Sequence, residues 1–177
     1  MAQTSFSVAI VGAGLVGTLE ACYLARRDLI VDVYECRADM RQAEHVPGRS
    51  INLALSTRGL AALEGVGLVE SVTQGCGIPL YGRMVHNRDG STSGMPYSKD
   101  GQCLYSVERR FINQILLDEG EKYQNIRFHF HHKLIKANLD IPELTFNQTD
   151  TNQTVVVRPD LVIGCDGAYS SVRKEML

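Results

Sequence analysis

The run Phe6-Ser7-Val8-Ala9-Ile10-Val11 passes directly into Gly12-Ala13-Gly14-Leu15-Val16-Gly17, and no other feature constrains the fold of this chain as much. The apolar stretch, rich in Val and Ile, reads as a buried strand. The hexapeptide after it is G-x-G-x-x-G. In that pattern the first glycine makes the tight turn out of the strand. The second lets the backbone approach a pyrophosphate, and the third lets the following helix pack close to the sheet. A helix is predicted from Gly14 to Arg27, with apolar or small residues at Leu15, Leu19, Cys22, Tyr23 and Leu24. Its N-terminus offers N–H groups and the positive end of a dipole to phosphates. A second strand, Ile30–Tyr34, ends at Glu35, near the position about 20 residues on where an acid accepts hydrogen bonds from a ribose diol. A glycine-rich turn in an unrelated α/β fold would not bring strand, helix and acid together in this order. The carboxylate at 35 disfavours a 2′-phosphate, so NADP does not suit this site. NAD and FAD both do, and the βαβ unit alone does not separate them.

The rest of the chain reads as alternating α and β, which favours an α/β class. Helices are predicted over Thr57–Gly65, Leu68–Val72 and Glu108–Tyr123, and strands over Ile126–Ile135 and Leu161–Gly164. Leu144–Asn147 with Thr154–Val157 reads as a hairpin. So does Arg83–Asn87 with a return strand to about Tyr97, because Asp89-Gly90 supplies the positive φ values of a tight turn. Pairing in this second hairpin is expected to place Arg83 opposite Tyr97. An arginine fork beside a phenol suits a carboxylate; a surface arginine packed on an aromatic face is the plainer reading.

A length of 177 residues suits one compact domain. A net charge of −2 argues against a nucleic-acid binder. No stretch approaches the roughly 20 apolar residues that span a bilayer, and Phe6–Val16 lacks the flanks of a signal peptide. Five cysteines, an odd number without C-x-x-C, read as free thiols in a reducing compartment. His129, His131 and His132 stand in the predicted strand 126–135, two on one face and one on the other, without a Cys or carboxylate at ligand spacing. They read as a solvated strand face, and no metal site is assigned.

Two further stretches carry a resemblance. Asp160-Leu161-Val162-Ile163-Gly164-Cys165-Asp166-Gly167-Ala168-Tyr169-Ser170-Ser171-Val172-Arg173 resembles the Asp-Gly motif of flavoprotein aromatic hydroxylases. Gly48-Arg49-Ser50-Ile51-Asn52-Leu53-Ala54-Leu55-Ser56 resembles a stretch of the kynurenine 3-monooxygenase family within them, and Gly77-Ile78-Pro79 and Met95-Pro96-Tyr97 also fit. The resemblance covers essentially the whole chain. It implies an α/β, Rossmann-like FAD-binding domain of the aromatic-hydroxylase type over residues 1–177, with an inserted antiparallel hairpin and residues 75–105 contributing to the substrate side. It implies bound FAD, NADPH as transient reductant, O₂, and L-kynurenine hydroxylated at ring position 3, with the hard chemistry carried by the cofactor. No catalytic side chain is therefore assigned.

The positions that match the family's FAD site are Gly12, Gly14, Val16, Gly17, Tyr34, Glu35, Cys36, Arg37, Ala54, Arg109, Leu134, Asp166, Gly167 and Ser171. Arg110 is an alternative to Arg109. Arg83 and Tyr97 match the pair that grips the carboxylate of kynurenine. The family continues beyond the Asp-Gly motif, with more of the FAD and substrate sites and a membrane segment at the mitochondrial outer membrane, so the chain reads as truncated. Two other classes stay open on sequence: an NAD-binding dehydrogenase half, and an inactive FAD- or NAD-binding fragment.

Overall fold

The computed structural model describes residues 6–42 and 52–177. In chain order its elements are β1 (Ser7–Val11), α1 (Leu15–Ala25), β2 (Ile30–Tyr34), β3 (Asn52–Leu55), α2 (Thr57–Glu64), α3 (Val69–Gly75), β4 (Ile78–Leu80), β5 (Gly82–His86), β6 (Thr92–Pro96), β7 (Leu104–Glu108), α4 (Arg109–Gly120), β8 (Ile126–His129), β9 (His132–Asn138), β10 (Glu143–Gln148), β11 (Thr154–Val157), β12 (Leu161–Gly164) and α5 (Ser171–Glu175). They fall into two compact units, one of Met1–His45 with Asn113–Leu177 and one of Val46–Ile112.

The first unit is built on a four-stranded parallel sheet in the order β12-β1-β2-β8. Strands of a parallel sheet are covered on both faces and so run continuously apolar; Val8 to Val11 are all buried. The antiparallel sheet β11-β10-β9 supplies the second layer. Phe146 and Leu144 of β10 are fully buried in one cluster with Ala9, Val11, Tyr34, Leu134 and Val172. Burying a side chain the size of Phe146 stabilises the unit by about 1.5–3 kcal/mol. From β1 the chain moves to β2 on one side, whereas β12 arrives on the other. The Gly12 N–H donates to the Tyr34 carbonyl at 2.7 Å, and the Cys165 N–H donates to the Val11 carbonyl at 2.7 Å. The carboxyl end of β1 is therefore a topological switch point, where open α/β sheets bind their ligands.

The second unit holds the antiparallel sheet β3-β7-β4, helices α2 and α3, and the two-stranded hairpin β5–β6. Leu63, Val66, Leu68, Val72, Val107 and Ile112 are buried there. Gly67, at φ +75°, turns the chain after α2.

Three expectations need correction. The strand predicted over Ile126–Ile135 is two strands, β8 and β9, which belong to different sheets. Between them His131 adopts φ +62°. Alternation of side chains continues on both sides of such a turn, so periodicity does not reveal it. For the same reason the three histidines do not share out over one solvated strand: the rings of His129 and His132 both pack on Tyr34, with centroids 4.6 and 5.8 Å away. In the β5–β6 hairpin Arg83 pairs with Met95, not Tyr97. A five-residue loop, closed by the Asn87 N–H on the Ser91 carbonyl at 2.9 Å, centres the hairpin on Asp89. Tyr97 instead donates its N–H to the Tyr81 carbonyl, which leaves Arg83 and Tyr97 on one face but offset by two positions. Gly48 to Ile51 of the second resembling stretch lie outside the described residues.

Candidate functional site

The site is assembled at the end of β1. Gly12 takes φ +105°, and a Cβ there would lie 2.5 Å from the Cys165 carbonyl oxygen. A Cβ on Gly17 would collide with the carbonyl oxygen of Gly12. These two glycines are demanded by the protein's own packing. Gly14 differs: a Cβ on it would meet nothing within 4 Å. It opens on the space beside the first turn of α1, which has neither a side-chain cap nor an acidic residue. Val16 of that turn is exposed. Uncapped N–H groups, the positive end of an 11-residue helix and a bare backbone together make a cradle for phosphate.

Glu35, directly after β2, is buried, and its Oε2 accepts the Ala13 N–H at 3.0 Å. Its Oε1 accepts the Arg37 N–H at 3.1 Å, Arg37 Nε at 2.8 Å and the Cys36 thiol at 3.4 Å. Burial pushes the Glu35 carboxyl up, but the hydrogen bonds and charge of Arg37 and the Ala13 N–H outweigh it and hold the group below its ordinary value. A carboxylate offers about four acceptor positions. Among the described residues Oε1 carries three bonds and Oε2 one, so Oε2 keeps an acceptor position for a hydroxyl. Burial, followed by the nearby Glu35 charge, pushes the exposed Cys36 thiol up.

The third part comes from the end of β12. Gly167, at φ +80°, turns the chain. Asp166 Oδ2 accepts the N–H groups of Ser171 at 2.5 Å and Val172 at 3.2 Å, and Ser170 Oγ accepts the Arg173 N–H at 3.0 Å. The other oxygen, Asp166 Oδ1, is buried with no hydrogen-bond partner among the described residues. An orphaned acceptor of this kind carries a desolvation cost unless a donor arrives from outside the fold. The bare backbone at Gly14, the open position on Glu35 and the orphaned oxygen of Asp166 all fit the FAD expected at Gly12–Gly17, Glu35–Arg37 and Asp166–Ser171.

Other predicted residues stand elsewhere. The Tyr34 ring is packed between His129 and Phe146, and Leu134 is buried opposite Phe146 on β9; both side chains belong to the core. Burial, then the Asp32 charge, pushes the Tyr34 hydroxyl up to about 12. Ala54 on β3, Arg109 at the start of α4, and Arg83 and Tyr97 of the hairpin belong to the second unit. Sequence reasoning missed Asn113, whose Nδ2 donates to the Ala13 carbonyl at 3.4 Å from 100 residues away. It also missed Arg41, held by Asp39, Asp118 and Glu121 at 2.6–2.9 Å. No local pattern signals the contact of Asn113 with Ala13 or those of Arg41 with Asp118 and Glu121.

The chain is 49% identical over 178 residues to the kynurenine 3-monooxygenase of Anopheles gambiae, covering 100% of this chain and 36% of that protein. It is 44% identical to that of Sus scrofa (97% and 36%) and 40% identical to that of Salinispora tropica (96% and 38%). The chain thus spans 36–38% of the length of these relatives, their amino-terminal part. Among solved structures, p-nitrophenol 4-monooxygenase PnpA from Pseudomonas putida shares the fold with a TM-score of 0.82 at 19% identity, covering 97% of this chain and 43% of that one. The flavin-dependent monooxygenase PieE, solved with FAD and substrate, does so with a TM-score of 0.79 at 16% identity (98% and 32%). Among the described residues no helix is long and apolar enough to cross a membrane. The FAD binding domain model matches residues 5–176, and the chain belongs to that family.

Proposed function

We propose that this chain is the FAD-binding portion of a monooxygenase that hydroxylates L-kynurenine to 3-hydroxykynurenine with NADPH and O₂. The observation that carries the reading is the buried Glu35 carboxylate on the Ala13 N–H, beside the bare backbone of Gly14, in a chain up to 50% identical to kynurenine 3-monooxygenases. Gly12, Gly14, Val16 and Gly17 would hold the pyrophosphate, and Glu35, Cys36 and Arg37 the adenosine ribose. Tyr34, Ala54, Arg109, Leu134, Asp166, Gly167 and Ser171 complete the assigned set by resemblance. When bound, FAD supplies the redox chemistry that delivers one oxygen atom to the ring. Glu35 disfavours a 2′-phosphate at this site, so NADPH serves as a transient reductant and not as the resident dinucleotide. Residues 75–105 contribute the substrate side, where Arg83 and Tyr97, on one face of the β5–β6 hairpin, bind the α-carboxylate. The reaction belongs to tryptophan catabolism leading towards NAD synthesis, at the cytosolic face of the mitochondrial outer membrane.

The test is a chimera in which residues 1–177 replace the corresponding part of the Anopheles gambiae relative. The chimera should retain FAD and convert kynurenine in an NADPH-dependent way, while the 177-residue chain alone should bind FAD weakly and turn nothing over. A chimera that folds but retains NAD in place of FAD, or leaves kynurenine untouched, overturns the reading.

A further inference from the structure

The three histidines at 129–132 find no role in the site so far described, yet their backbone surrounds it. The Glu35 N–H donates to the His129 carbonyl at 2.9 Å, and the Glu35 carbonyl accepts the His132 N–H at 2.8 Å. The Arg37 carbonyl accepts the His131 N–H at 3.0 Å. Three hydrogen bonds from one turn thus fix residues 35–37, the segment that aims the Glu35 carboxylate at Ala13 and supplies that carboxylate with the Arg37 N–H. The turn has a single unusual member. His131 is at φ +62°, and its carbonyl accepts the Thr149 N–H at 2.8 Å, so the peptide is held on both sides. His129 and His132 use their rings on Tyr34, and His129 also on Asp32 at 2.7 Å. The imidazole of His131 has no hydrogen bond, ion pair or ring contact among the described residues.

We infer that His131 is a positioning residue for the dinucleotide site: its left-handed backbone sets the 129–132 turn, and the turn aims Glu35. The inference rests on the assignment of Glu35 to the ribose. What matters at 131 is the backbone angle and not the imidazole. Histidine, asparagine and aspartate enter the left-handed region more readily than other residues, glycine enters it freely, and a β-branched residue is a true outlier there. A residue that refuses the angle must open the turn, and with it the hydrogen bond to the Arg37 carbonyl.

The test is FAD binding by the chimera described above with His131→Asn, His131→Gly, His131→Ala and His131→Val, each alone and combined with Glu35→Gln. Asn and Gly should rescue the turn and keep the Kd within about twofold, Ala should raise it severalfold, and Val should raise it about tenfold or more. The Ala variant keeps the ordering readable if the Val variant does not fold. In the Glu35→Gln background the loss caused by Ala or Val should largely vanish, because the carboxylate that the turn aims is already gone. Full additivity would show that His131 supports the fold in general and would overturn the inference. So would an equal loss for Asn, Gly and Ala, which would mean that the imidazole itself acts. If Glu35→Gln alone leaves FAD binding unchanged, the ribose assignment fails and the inference falls with it. A weakened Glu35→Gln beside an unaffected His131→Val would sink the inference alone.

Discussion

The parallel sheet of the first unit and the β5–β6 hairpin of the second are both strand structures, and they differ in what holds them. Every residue of β1 from Val8 to Val11 is at most 4% exposed. In β5 and β6 only Val85 is partly covered, and Met84 and Met95 are 58% and 46% exposed. The sheet's geometry is set by close packing, in which a single added atom is felt. An isolated two-stranded hairpin is marginal in water. The dinucleotide site proposed for the first unit is therefore organised by the packing of that unit itself. The hairpin has its strand register but little else to hold its side chains: among the described residues the Arg83 side chain reaches Met95 Sδ at 3.1 Å and no other hydrogen-bond partner.

Phe146→Ala should destabilise the first unit by about 3–5 kcal/mol, the range for a fully buried phenylalanine. Met84→Ala on the hairpin should stay within about 0.5 kcal/mol. Chemical denaturation followed by hydrogen exchange would read both, and equal effects would end the comparison. Gly17→Ala should cost about 3 kcal/mol, the upper end for forced overpacking, because its Cβ meets backbone. Gly94→Ala in β6, where a Cβ meets nothing within 4 Å, should be near neutral by thermal melting. In the chimera, Arg83→Ala should raise the KM for kynurenine about tenfold with FAD content unchanged, and Arg83→Lys should recover only part, since an ammonium lacks the two-pronged contact. A loss of flavin in that variant would instead assign Arg83 to the fold.

The smallest effect is in acid. Burial pushes the Asp32 carboxyl up, but His129 and Arg127 more than offset it, and Arg41 holds Asp39 down, so both groups and Glu35 lie below their ordinary values of 3.8 and 4.5. Groups with depressed folded values contribute stability that is fully present above the unfolded value and is lost as pH falls through the folded one. The first unit should therefore begin to lose melting temperature below about pH 4.5 and go on losing it as pH falls through the lowered folded values. Asp89 of the hairpin is also held down, by hydrogen bonds from Ser91, but it is fully exposed. Ser91 is neutral, so salt should leave that contribution largely intact and should weaken the first unit's loss, part of which comes from the charges of Arg127, Arg41 and Arg37.

Helix α1 and strand β2 appear within two residues of their predicted ends, since the glycine loop and the apolar runs around it are local signals. Gly12 and Gly17 do what their spacing implied. The division of 126–135 into two strands was not legible, because alternation looks the same on either side of a turn and the left-handed residue is a histidine rather than a glycine. The hairpin register was off because the loop closes over five residues, a choice made by the Asn87–Ser91 hydrogen bonds.

The sequence by itself determined the kind of site: a glycine loop between strand and helix, an acid after the second strand, and an Asp-Gly turn near position 166. Each is specified by residues close together in the chain, through φ angles, helix dipoles and charge. Which atoms meet depends on how the strands and layers pack. That packing placed β12 against β1, so that the Cys165 carbonyl abuts Gly12, and turned Glu35 onto the Ala13 N–H. It also brought the 129–132 turn to residues 35–37. The first and last of those contacts join residues about a hundred positions apart or more, and Glu35 meets Ala13 across 22 residues. Their geometry is set by the packing of the sheet and its layers, and a local pattern carries no information about it.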